Sequence, residues 1–92
     1  MKSMLSWAIA CANHKAAGVS FVRSGAPMPD GLTLLGRWHA PGSVTGWVLV
    51  EATDTKAVYE HVAQWAGLLE LQVTPVLEDA EAAEALSRVY GI

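Results

Sequence analysis

The residue types able to do chemistry gather on two short segments, where Arg37 and His39 are followed by Trp47 and Glu51. An arginine opposite a tryptophan is placed for a cation–π contact of about 0.5–2 kcal/mol. A neighbouring imidazole titrates near neutral pH and is suited to moving a proton. In a pocket, these residues would serve an aromatic or enolisable ligand. Arg37 would meet its negative charge, Trp47 would stack on it, and His39 would act as base. Glu51 and Trp7 would complete the lining. The competing reading is structural, with Arg37 and His39 ordering the strand ends and pairing across a subunit contact.

Other reactive residues carry less. Cys11 and His14 stand three apart, like half of a zinc site, but a structural site needs about four ligands. Only His39, His61 and scattered carboxylates remain to complete one, so no metal is expected. Without a base beside it, Cys11 reads as a small buried side chain. His61, three residues from Val58, reads as solvent-facing or at a helix edge. Trp65, at helical spacing with Val58 and Val62, reads as core, as does Trp38. Glycine-rich phosphate cradles, a nucleophile signature and paired catalytic carboxylates are absent, and no cofactor is expected.

These side chains need elements to position them. Ser3 to Ala10 places Leu5, Trp7 and Ile9 two apart, as a half-buried strand does. Asn13 is placed to cap a first helix that runs through Arg23 with Ala17, Phe21 and Val22 on one face. Ser24 to Gly31 is a loop set by two prolines and two glycines. Leu32 to His39 and Val44 to Thr53 form a hairpin around Pro41-Gly42-Ser43. Asp54 or Thr55 caps a second helix that Gly67 stops. A fourth strand spans Leu69 to Leu77, and a last helix spans Ala80 to Tyr90 with Glu84 and Arg88 four apart.

The hairpin register decides which side chains share a face. A three-residue loop sets Trp38 opposite Gly46 and puts Leu34, Trp38, Val48 and Val50 on one face. Thr33, Arg37, His39, Trp47 and Glu51 then share the other. A four-residue loop sets Arg37 opposite Gly46 and mixes ionisable with aliphatic side chains. The first register is favoured because it keeps one face dry.

The order βαββαβ with a terminal helix is the plan of an α+β, ferredoxin-like fold, a four-stranded antiparallel sheet with helices on one side. The 92 residues fit a single domain spanning 1–92. Hydrophobic residues make up 52% of the chain and charged ones only 16%, below the roughly 25% usual in soluble domains. The uncovered sheet face and the low charge together predict a homodimer. Six Lys and Arg against nine Asp and Glu give a net charge of −3, which argues against nucleic acid as a partner. No stretch approaches the ~18–20 apolar residues of a membrane span. The opening MKSMLSWAIAC is too short and too broken by Ser3 and Ser6 for an export signal, and the lone cysteine fits a reducing compartment, so a cytoplasmic location is expected.

Three segments carry a resemblance: Gly25 to Gly42 (GAPMPDGLTLLGRWHAPG), Gly46 to Asp54 (GWVLVEATD) and Val73 to Asp79 (VTPVLED). Together they resemble the bacterial domain-of-unknown-function 3303 family, a branch of the dimeric α/β-barrel superfamily. The similarity runs over nearly the whole chain, and Gly36 to His39 with Thr74 to Val76 are its most specific parts. It implies the fold and a dimer, but it transfers no catalytic residue. The favoured function is binding of a small, partly apolar or aromatic ligand. One alternative is a cofactor-independent monooxygenase or isomerase-like enzyme using His39 as base. Another is a stress-associated interaction protein without ligand.

Overall fold

Strand β1 (Lys2–Ala8) is central because both of its edges are paired, and its apolar side chains alternate to match both neighbours. The computed structural model describes residues 1–42 and 44–92. Strands β2 (Leu32–His39), β3 (Thr45–Ala52) and β4 (Glu70–Val76) complete an antiparallel sheet of order β2-β3-β1-β4. A 3-10 turn at Cys11–Asn13 leads into helix α1 (His14–Ser24), and helix α2 (Thr55–Trp65) connects β3 to β4. Helix α3 (Asp79–Tyr90) follows β4. This is the α+β, ferredoxin-like arrangement that the order of elements predicts.

The core lies between the sheet and α2. Leu5 stands opposite Val48 in the β1–β3 ladder, and Leu5, Leu32, Val48, Val50 and Ala52 are buried with Ala57 and Val58. Ser3, opposite Val50, is buried on the same side, and its hydroxyl has no partner among the described residues. Helix α2 starts where expected: the Asp54 carboxylate accepts a hydrogen bond from the Ala57 amide at 3.0 Å, satisfying one of the free donors of the first turn. Asn13 makes no such cap for α1.

The register departs from the expected one part-way along β2. Thr33 pairs with Glu51 and Leu34 with Val50, as a three-residue loop predicts, but a β-bulge between Leu34 and Gly36 inserts one residue. Beyond it Trp38 faces Trp47 and His39 faces Gly46. An extra residue reverses the facing of all that follow. Arg37 and His39 therefore share the helix-covered side with Val48, while Trp47 and Glu51 lie on the open side with Trp38. The expected grouping of Arg37 and His39 with Trp47 and Glu51 is thus corrected. The expected hairpin loop includes Ser43, which lies outside the described residues.

Two more expectations change. Trp38 is 52% exposed rather than core, because the bulge turns it outward, and Cys11 is exposed at the 3-10 turn rather than buried. Helix α3 buries none of its residues, and the molecule is drawn out to 52 × 30 × 17 Å. Lys2 pairs with Glu78 at the base of α3, and Arg88 pairs with Glu84 at 2.8 Å on its surface. Among the described residues no helix is long and apolar enough to cross a membrane.

Candidate functional site

A cavity of about 180 Å³ opens between the sheet and the two helices α1 and α2. Helix α1 turns His14, Ala17, Gly18 and Phe21 toward it, positions 3, 4 and 7 residues along one helical face. Helix α2 contributes His61 and Trp65, and the sheet contributes Trp7, Arg37, His39, Val48 and Leu71. Gly18 and Ala17 keep the α1 wall thin, which leaves the space open. All three histidines of the chain line this one cavity, together with an arginine. No carboxylate lines it among the described residues.

Arg37 is held by the turn after α1. Gly25 and Ala26 both adopt positive φ, 72° and 45°, a conformation uncommon for a residue with a Cβ. The Ala26 amide donates to Ser24 Oγ at 3.0 Å, and the Ala26 carbonyl accepts from the Arg37 guanidinium at 3.0 Å. The guanidinium carbon also stands 5.5 Å from the centre of the Phe21 ring. No carboxylate pairs with Arg37 among the described residues. Burial lowers its pKa, the usual effect of desolvating a charge. A half-buried cation with one neutral acceptor has capacity left for an anion.

Two glycines make room for indole rings, Gly46 on the cavity side of the sheet and Gly36 on the open side. A Cβ on Gly46 would lie 2.1 Å from the Trp7 ring, and one on Gly36 would lie 2.4 Å from the Trp38 ring. Gly46 therefore lets the Trp7 indole lie across β3, where it meets His39 edge-on with ring centres 5.3 Å apart. Phe21 meets the other side of His39 in the same manner at 5.1 Å. His39 is thus positioned by two aromatic rings.

His61 sits deeper than its spacing from Val58 alone predicts. It is only 5% exposed, because Ala57 four residues before it and Trp65 four residues after it continue the same inward stripe. Its Nδ1 lies 3.1 Å from Gln64 Oε1. Burial holds its pKa below the ordinary value near 6.5; the Gln64 bond opposes the shift and the charge on Arg37 adds to it. His61 is the site residue that the first reading of the chain misses, and the helical stripe through Ala57 and Trp65 is the signal that finds it.

Of the residues singled out in the sequence, the cavity brings together Trp7, Arg37 and His39. Trp47 and Glu51 stand on the opposite sheet face, where Glu51 binds the terminal ammonium of Met1 at 2.7 Å. Cys11 is not among the lining residues, and no group of three or more His, Cys, Asp or Glu side chains able to hold a metal occurs among the described residues.

The family model for domain of unknown function DUF3303 matches residues 1–90. The chain belongs to the DUF3303 family. Among solved structures, this DUF3303 chain is similar to a Deinococcus radiodurans protein provisionally described as an antibiotic biosynthesis monooxygenase. The two are 12% identical, with 84% of this chain and 92% of the other covered, at a TM-score of 0.45. Among curated proteins no relative matches the DUF3303 chain.

Proposed function

We propose that this protein binds a small acidic ligand with a one-ring apolar body in the cavity between the sheet and helices α1 and α2. The observation that carries the reading is Arg37 in an apolar cavity where, among the described residues, no carboxylate lines the wall or pairs with the guanidinium. In a chain of net charge −3, a half-buried guanidinium without a counter-charge favours an anion. The size fits as well. A protein cavity of about 150 Å³ holds benzene, so about 180 Å³ suits one ring bearing a small acidic group.

His39 acts in this reading as a wall rather than a base, since Trp7 and Phe21 fix its ring. The protein works as a homodimer joined through the open sheet face, where Trp38 and Trp47 are 52% and 43% exposed. Calorimetric titration with benzoate tests the ligand site. One site per chain is expected, and Arg37→Ala should weaken binding by about 1.5–3 kcal/mol through loss of a charge-assisted bond. Unchanged affinity in that variant would remove Arg37 from the site.

A further inference from the structure

The cavity offers an acceptor as well as a cation. Gln64 Oε1 beside Nδ1 of His61 selects the tautomer with the proton on Nδ1. Nε2 then carries a lone pair, and it has no partner among the described residues. His61 is almost wholly buried, so this nitrogen meets water only through the cavity that the residue lines. A ligand that fills the cavity displaces that water, and an acceptor then left unpaired is costly. A ligand that donates to it recovers that loss, and one that cannot leaves the loss in place.

We propose that the ligand is a one-ring hydroxy acid, whose carboxylate pairs with Arg37 and whose hydroxyl donates a hydrogen bond to His61 Nε2. The inference rests on the ligand site proposed above and adds the second polar group that the ligand must carry. Desolvation and the nearby Arg37 charge both keep the imidazole neutral, hence an acceptor, near neutral pH. The other two histidines suit this role less well. His39 is exposed and held between two rings, and His14 is exposed at the start of α1. Gln64 is a positioning residue, since it touches the imidazole and not the ligand.

Titration of the whole protein with benzoate, the three hydroxybenzoate isomers and their methoxy counterparts tests this. At least one hydroxybenzoate should bind roughly tenfold or more tighter than benzoate, and its methoxy counterpart should lose that gain. His61→Leu should abolish the difference in affinity between that hydroxybenzoate and benzoate. Gln64→Leu, which frees the tautomer, should reduce the preference in part. The comparison of hydroxyl with methoxy needs no variant and holds even if His61→Leu fails to fold. Equal binding of benzoate and every hydroxybenzoate would overturn the hydroxy-acid proposal and leave the ligand site standing. A preference that survives in a folded His61→Leu protein would also overturn it. Binding of none of these compounds would overturn both.

Discussion

His61 links the cavity to acidity. Its pKa is lowered in the folded protein, chiefly by burial, whereas in the unfolded chain it returns to about 6.5. The unfolded state therefore takes up a proton first as pH falls. The stability that His61 contributes is complete above the unfolded value and is lost as pH falls through the folded one. Thermal melts between about pH 7.5 and 5 should show a falling midpoint, with a shallower fall in His61→Gln. Equal slopes in the two proteins would show that His61 is not buried in its neutral form. The residue was legible only through neighbours on both sides. Val58 alone leaves His61 at the helix edge, while Ala57 and Trp65 together place it inside. Its bond to Gln64 follows from the helix turn between them, but the cavity it faces depends on α1, which no local pattern in α2 reveals.

At the scale of elements, the strand limits follow closely from the sequence. Leu32 to His39 is a strand as read, and Asp54 caps α2 because its carboxylate reaches the free amide of Ala57. The facing of β2 is harder to read. Leu34 and Leu35 are both apolar and either can face inward, so alternation gives no sign of an inserted residue. The available sign is Gly36, since a glycine inside a strand often marks a bulge or a close approach, and here it accompanies both. Gly46 has the matching role in β3. Adding a methyl there brings it against the Trp7 ring and 2.6 Å from the Trp38 carbonyl. One of these contacts is backbone and cannot swing away. Gly46→Ala should cost about 1–3 kcal/mol, as overpacking does, measured by urea unfolding. It should also displace Trp7 from the cavity, seen as a changed tryptophan emission and weaker benzoate binding. A variant as stable as the parent would mean that the Trp7 ring does not lie over β3.

For the molecule as a whole, the two sheet faces differ in kind. One carries the core and the cavity. The other holds Trp38, Trp47, Met4 and Leu49 without a cover, and it supports the proposed homodimer. Leu49→Asp places a charge in the middle of that face, opposite Met4. It should lower the dimer fraction in light scattering across a dilution series far more than Ala63→Asp, on the exposed side of α2. The low content of charged residues already points to association, but the orientation of the two tryptophans depends on the bulge and could not be read from alternation.

Helix α3 has a consequence of its own. Twelve residues with nothing buried fall in the range where an isolated helix is only marginal in water. Its backbone amides should therefore exchange with deuterium within moments wherever the chain stands alone. If a second chain covers Leu86, Val89 and Tyr90, the same amides become slow while the central β1 amides keep one rate. Exchange followed by mass spectrometry at several protein concentrations would then show α3 slowing as the protein is concentrated. The terminal helix would read out association from within the chain, without any added label.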